Sequence, residues 1–454
     1  MAKEKTVFIC QTCGYQAPKW LGRCPDCQGW GTMVEELIGA EAPGGDSRQS
    51  WGGQEAPCAI GEVAEEEEGL RLPTRLEEFN RVLGGGVVIG SVVLLGGDPG
   101  IGKSTLMFQC LHNLASQGAR CLYISAEESI RQTRLRAKRL NAVSDALFVA
   151  AETALERIIQ SVEEIKPQVL VIDSIQSIYT SQLGSAPGSI SQVRETSGRL
   201  TYLAKGLGVA TFLVGHVTKD GAIAGPRVLE HIVDTVLYME RSADSPFRIL
   251  RVVKNRFGST NEIGVFEMKE EGLQEVVNPS EIFLAERPTG TSGSAVVASI
   301  EGTRPILVEV QALVAPTAFA VPKRMAMGVD YNRLSLLMAV LEKKVGINLS
   351  HHDIFVNVAG GLRVEEPAVG LGVVVAVASS HLDRVVPAMV VFGEVGLAGE
   401  VRGVSFVEQR VREASRLGFK GCVLPRSSAQ GLRPPGGMKL IAVRHLQEVW
   451  ERLF

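Results

Sequence analysis

Between residues 91 and 275, short continuous apolar runs alternate with longer stretches whose apolar residues recur every three or four positions. Residues 91–95, 121–126, 146–150 and 168–173 are of the first kind and read as buried strands, whereas 103–116 (KSTLMFQCLHNLAS) has helical spacing. Strands alternating with helices predict a parallel sheet covered on its faces, hence an α/β domain. Residues 208–215, 233–240 and 247–255 extend the same sheet. Pro279 opens a short helical connector. Beyond Pro288 the chain becomes richer in Val, Gly and Ala, with long segments at 331–344, 367–381 and 405–417, which predicts a separate α+β domain reaching Phe454.

The amino-terminal residues break this rhythm. Residues 1–34 are rich in Cys, Trp and Gly, and 35–70 are rich in Gly, Ala, Ser and Glu with an acidic run at 65–68, the composition of a flexible linker. The expected organisation is therefore a small module at 1–34, a linker at 35–70, an α/β domain at 71–278, a connector at 279–288 and a final domain at 289–454. An apolar fraction of 45% over 454 residues is ample for such cores. A net charge of −3 gives no global electrostatic footprint for nucleic acid, so any such contact must come from local patches or loops. The first residues lack an apolar signal core, and the longest apolar run, 368–378, is too short to cross a bilayer. The expectation is a soluble cytoplasmic protein with no membrane partner.

Half of the eight cysteines lie in the first module; Cys58, Cys110, Cys121 and Cys422 are scattered, as suits reduced thiols. Cys10-x2-Cys13 and Cys24-x2-Cys27 form two chelating turns ten residues apart, which deliver the four thiolates of a tetrahedral Zn²⁺ site. With so few apolar residues, such a four-cysteine zinc finger folds on metal binding, worth about 10–16 kcal/mol in comparable peptides. Four closed ligands make that zinc structural rather than catalytic. Trp20, Trp30 and Lys19 are candidates for contact with a partner or a DNA backbone, with packing against the metal core the stronger expectation for the two tryptophans.

Gly97-Asp98-Pro99-Gly100-Ile101-Gly102-Lys103-Ser104 fits the G-x-x-x-x-G-K-[ST] phosphate loop and lies between a strand and a helix, as the motif requires. Its N–H groups and the helix N-terminus converge on phosphates, Lys103 supplies a point charge, and the Ser104 hydroxyl suits Mg²⁺. Thr105 continues the contact set, and ATP is the expected ligand. Hydrolysis also needs a second metal contact, a water-orienting base, a γ-phosphate sensor and a cation for the developing charge. The apolar strand ending in Asp173 supplies the first. Glu127 or Glu128, at the end of the 121–126 strand, would polarise the water; His216, ending another strand, would bond the γ-phosphate. Lys254 and Arg256 share a strand face and would clamp an oxyanion, in a neighbouring subunit or on DNA.

Cys-x2-Cys, ten residues, Cys-x2-Cys; GDPGIGKST; YISAEES; and KNRFG occur here in that order, and together they resemble the bacterial RadA/Sms DNA repair and recombination proteins. The resemblance implies a RecA-like P-loop ATPase core, a hexameric ring, and ATP-driven movement on single-stranded DNA that branch-migrates recombination intermediates beside a RecA-type recombinase. It assigns Lys103 and Ser104 to nucleotide and Mg²⁺, Asp173 to the Walker B role, Glu127 to the catalytic carboxylate, and Lys254 and Arg256 to coupling between subunits. DNA loops are expected at 179–194, carrying Arg194, and at 218–227, carrying Lys219 and Arg227. Both would be mobile without ligand. Few aromatic residues lie in them, which argues for sequence-independent binding.

The carboxy-terminal segment is similar to the Lon-protease-like domain of that family. Ala368 stands where a protease of the Lon family has its serine nucleophile, and Arg402 lies in the segment that carries the lysine base. An arginine does not deprotonate in a protein, so peptidase activity is not expected. What remains is a scaffold for assembly, with Arg324, Lys343, Lys344 and Arg384 offered to DNA. Two other functions compete with the motor: an ATP-dependent Lon-type protease, which lacks its nucleophile, and a nucleotide-switched binding protein.

Overall fold

A computed structural model of the chain describes residues 5–10, 15–38, 71–216, 226–241, 246–318 and 321–454. Cys13, Cys58, Lys219, nearly all of the expected linker and residues 217–225 of the second expected DNA loop lie outside the described residues. The chain divides into two compact units, the first ending at Glu275 and the second running Val276–Phe454.

The first unit is built on a nine-stranded sheet. Six run parallel, in the order Thr235–Arg241, Val92–Gly97, Ala210–Val214, Val169–Asp173, Cys121–Ser125, Leu147–Ala151. Side chains alternate across this sheet. Val93, Leu95, Tyr123, Val171 and Phe212 face one layer with Leu106, Phe108 and Leu111 of the Lys103–Ala115 helix. Val92, Leu94, Ile124, Leu170, Ile172 and Leu213 face the other, with Ile158 and Leu200 from the Leu155–Ile165 and Ile190–Leu207 helices. Burial on both faces explains why these strands read as unbroken apolar runs.

The expectation of a wholly parallel sheet needs correction. Phe247–Asn255 pairs antiparallel with Thr235–Arg241, and Ile263–Lys269 and Gly272–Glu275 add two further antiparallel strands. Only residues 242–246 separate the first pair. A parallel crossover takes a dozen residues or more, so the chain turns back on itself.

The 179–194 stretch also differs from a plain mobile loop. Its last five residues open the Ile190–Leu207 helix. Buried Gln192 donates to the carbonyls of Thr180, Leu183 and Ser185 at 3.1, 3.2 and 3.0 Å and accepts from the Thr180 N–H at 2.9 Å, so one amide organises the preceding turn.

In the ribbon at the amino terminus, Lys5–Cys10 pairs antiparallel with Gln16–Ala17 and Met33–Ile38. Its core is Cys10, Ala17, Cys24 and Met33, with Phe8 against it. The tryptophans are not part of it: Trp20 is 59% and Trp30 75% exposed, contrary to the expected packing on the metal core. With the cysteines already filling so small a centre, no room remains there for an indole.

The second unit carries a seven-stranded sheet in the order Arg324–Met327, His352–Val358, Arg304–Pro316, Ser294–Glu301, Val390–Val391, Gly421–Pro425, Lys439–Val443. The apolar run noted at 368–378 becomes the Gly370–Leu382 helix, buried on all sides in its first ten residues. Gly372 permits this depth, since a Cβ there would lie 1.9 Å from Val297 Cγ1. Among the described residues no helix is long and apolar enough to cross a membrane.

Arg410 is fully buried in this unit and is held by Glu366, which also accepts from the Ile300 N–H at 2.6 Å and Ser299 Oγ at 3.2 Å. Removing one partner of a buried pair strands the other charge. Glu366→Ala is therefore expected to destabilise the chain by about 3–5 kcal/mol, measured by pulse proteolysis of the full chain in urea. A loss below about 1 kcal/mol would show that the surrounding carbonyls alone satisfy the guanidinium.

Candidate nucleotide site and metal ribbon

The Val92–Gly97 strand, the turn after it and the Lys103–Ala115 helix form the phosphate loop. Gly97, Gly100 and Gly102 have φ of 152°, 73° and 121°, and a Cβ at Gly97 would stand 2.6 Å from the Met239 carbonyl oxygen. Glycine at 97 is thus a steric requirement. Above the loop lies a cavity of ≈ 460 Å³ lined by Pro99, Gly100, Gly102, Lys103, Ser104 and Thr105, and by groups from six other segments. Such a volume is within the usual range for small-molecule clefts.

Lys103 is turned back onto its own loop. Its Nζ donates to the Gly97 and Asp98 carbonyls at 2.7 and 2.9 Å and lies 3.3 Å from His216 Nδ1. Burial pushes the amine down to about 8, partly opposed by the carboxylates of Asp173, Asp98 and Glu127. His216 reaches the other way as well, its Nε2 being 3.4 Å from Glu127 Oε1. Glu127 also accepts from Ser174 Oγ, and from Ser177 Oγ at 3.4 Å.

Glu128 lines the same cavity but is tied to Arg136 of the Ile130–Arg139 helix. The geometry thus distinguishes the two glutamates left open by their spacing: one faces His216, the other an arginine. Asp173 bonds the Tyr123 hydroxyl, and that hydroxyl also bonds Ser104. Burial and the adjacent Asp173 carboxylate hold the phenol well above its ordinary range, so it stays protonated.

Lys254 and Arg256 are not brought to this cavity. Lys254 Nζ donates to the Glu230 and Val233 carbonyls at 2.6 and 2.7 Å, and Arg256 Nη1 lies 3.2 Å from Asp234 Oδ1. Asp234 is buried and also accepts from Lys205 Nζ at 3.3 Å and the Val92 N–H at 3.1 Å. Because their strand is antiparallel, its end lies beside Thr235, where the parallel strands begin. Within one chain the two cations therefore sit at the sheet edge opposite the phosphate loop. Arg248, at the other end of that strand, does reach the cavity, with its Nε 3.1 Å from the Ile101 carbonyl oxygen.

Tyr123, Arg136, Arg139 and Arg248 all line the cavity and were missed from sequence. Tyr123 had a signal: alternation puts it on the face of the strand that the phosphate-loop helix covers. Arg136 and Arg139 are one helical turn apart, an equally readable pattern. Arg248 becomes visible only once the hairpin is known.

In the second unit Ala368 is buried, and Arg402 is exposed and bonded to Glu400. Lys343, Lys344 and Arg384 are exposed and Arg324 is half-buried. Arg194 lies exposed on its helix. In the ribbon, the sulfurs of Cys10, Cys24 and Cys27 all lie within 4.8 Å of one another. Three converging thiols on a core this small are the donor set that Zn²⁺ prefers.

This combination defines a class: an ATP-hydrolysing enzyme of the P-loop type that carries a metal ribbon. A family model described as an AAA domain matches residues 63–222, and one described as a rubredoxin metal binding domain matches residues 8–35. Over its full length the chain is 55% identical to the DNA repair protein RadA of Halalkalibacterium halodurans, covering 99% of both chains. It is 54% identical to the RadA of Bacillus subtilis and 52% to that of Listeria monocytogenes, with 99% of this chain and 98% of each relative covered. The chain belongs to the RadA family of DNA repair proteins.

The lowered Lys103 amine has a measurable consequence. Bound phosphates add negative charge beside it and raise its affinity for the proton, so nucleotide binding above about pH 8 must be accompanied by proton uptake. Affinity then falls as pH rises through 8, and at pH 8.5 binding should take up roughly 0.7 proton. Calorimetry in two buffers of different ionisation enthalpy measures this directly; zero uptake would place the amine's titration well above that pH. A second outcome concerns Tyr123. Tyr123→Phe removes the hydroxyl shared by Ser104 and Asp173 and should raise the Mg²⁺ concentration needed for half-maximal nucleotide binding by about 10-fold or more, at an unchanged metal-free nucleotide affinity.

Proposed function

We propose that this chain is a DNA-dependent ATPase motor that acts on single-stranded DNA and branched intermediates in recombinational repair. The observation that carries the reading is the split of charged groups between the two edges of one sheet. Lys103, Ser104, Glu127, Asp173 and His216 gather at the cavity, whereas Lys254 and Arg256 lie at the far edge. Lys254 and Arg256 would then reach a nucleotide only in a second copy, as expected of a ring such as a homo-hexamer, beside the arginines that line the cavity in the same chain.

In this reading Lys103 leaves the Gly97 and Asp98 carbonyls for the β- and γ-phosphates of ATP. Ser104 and Asp173 would hold Mg²⁺, which neutralises charge on the phosphate oxygens. Glu127 orients the attacking water, and His216 contacts the γ-phosphate. The proposed DNA contact segment, 218–227, follows His216 almost directly in sequence. The ribbon cysteines Cys10, Cys13, Cys24 and Cys27 hold a structural zinc. The second unit serves as a Lon-like scaffold without peptidase chemistry, since Ala368 offers no nucleophile. Action in the cytoplasm beside a RecA-type recombinase fits the family of repair proteins.

Single-stranded DNA should raise ATP turnover of the purified protein, with Lys103→Ala as the control for contaminating activity. Glu127→Gln should retain ATP while slowing hydrolysis by about 10²–10⁴-fold. Turnover unaffected by DNA, under salt conditions where DNA is bound, would sink the motor and favour a nucleotide-timed binding protein.

A further inference from the structure

The two ribbon tryptophans are the most exposed indoles among the described residues, and they lie together. The outer ring atoms of Trp20 and Trp30 come within 3.5 and 3.9 Å of the position a Cβ would occupy on Gly22. The Gly31 N–H donates to the Gly22 carbonyl at 2.9 Å, and Arg23 bridges to Trp30, so both rings stand on one paired backbone. The Arg23 guanidinium lies 5.8 Å over the Trp30 ring and is fixed by the Gln28 carbonyl at 3.1 Å and Gln28 Oε1 at 2.6 Å. Neither indole contributes to the ribbon's core.

Leaving two such rings in water forfeits burial worth a few kcal/mol, which the small core does not require. Their surroundings argue for what covers them. Residues 15–31 contribute Lys19 and Arg23 against a single carboxylate, Asp26. Flat aromatic faces beside cations match a strand that presents bases and phosphates alternately, and an indole stacks on any base.

We infer that Trp20 and Trp30, with Arg23 and Lys19, form a stacking platform for unpaired bases of single-stranded DNA. The platform rests on the DNA-binding reading above and adds a site to it: the ribbon holds the strand by its bases, while loops of the ATPase domain have the composition to hold phosphate. Glycines at 22 and 31 keep the approach to both rings low.

The full-length protein with Trp20→Ala and Trp30→Ala together tests this, by anisotropy of labelled oligo(dT) and of an abasic oligonucleotide of equal length and charge. Wild type should bind oligo(dT) about 10-fold or more tightly than the double variant, while both bind the abasic strand alike. Trp20→Phe with Trp30→Phe should restore most of the difference, because the faces return. Zinc content and DNA-free ATPase should match wild type in every variant. Trp30→Ala alone, at the more exposed ring, decides the matter should the double variant shed its zinc. Equal oligo(dT) affinity in wild type and the Ala variant would overturn the platform while leaving DNA binding intact, and would assign the indoles to a protein partner. Failure of wild type to bind either strand would instead overturn the motor reading, and the platform with it.

Discussion

Everything at the candidate site depends on the register of the central strands. Val214 is level with Asp173, and Asp173 with Ser125, so three chain segments leave the sheet at one edge in step. Residues immediately beyond a parallel strand have no ladder partners and turn outward together, which is why chemistry collects at this edge in open α/β sheets. Slip one strand by a residue and its side chains exchange faces, moving Asp173 away from Tyr123. The apolar layers on both sides hold that register, so the positions of a few polar groups are set by the packing of many methyl groups.

The same sheet separates charges as firmly as it gathers them. The Phe247–Asn255 strand crosses the sheet in the direction opposite to its parallel neighbours, with Arg248 at the cavity and Arg256 close to Asp234 at the other edge. A rigid strand fixes the distance between its own cations. Asp234 is also tied to the other edge through backbone, since its carboxylate accepts from the N–H of Val92, the first residue of the strand that feeds the phosphate loop.

Much of this was readable in the sequence because the strongest signals were local. Phosphate-loop spacing, unbroken apolar strands and paired cysteine turns each depend on neighbours a few residues apart. The hairpin after residue 241 was not readable, since periodicity reports which face a residue occupies and says nothing of strand direction. Arg248 followed that miss. Trp20 and Trp30 were misjudged for a different reason: hydrophobicity argues for burial only where a core has volume to offer, and a core of Cys10, Ala17, Cys24 and Met33 leaves the ribbon little. The turn before residue 190 was mistaken for an open loop because its order comes from one amide, Gln192, whose four hydrogen bonds leave no compositional trace.

Lys103, His216 and Glu127 form one chain of polar contacts, and its middle member has two faces to satisfy. An ammonium at Nδ1 requires that nitrogen to accept, which leaves the proton on Nε2, facing the Glu127 carboxylate. The ring is therefore oriented by charges of opposite sign on its two sides. Drawing Lys103 toward a phosphate withdraws one of those charges, and the ring loses the partner that fixed its tautomer. The contacts of His216 thus depend directly on where the Lys103 ammonium lies. The residue that links Lys103 to Glu127 is also the one that directly precedes, in sequence, the segment 218–227 proposed to meet DNA.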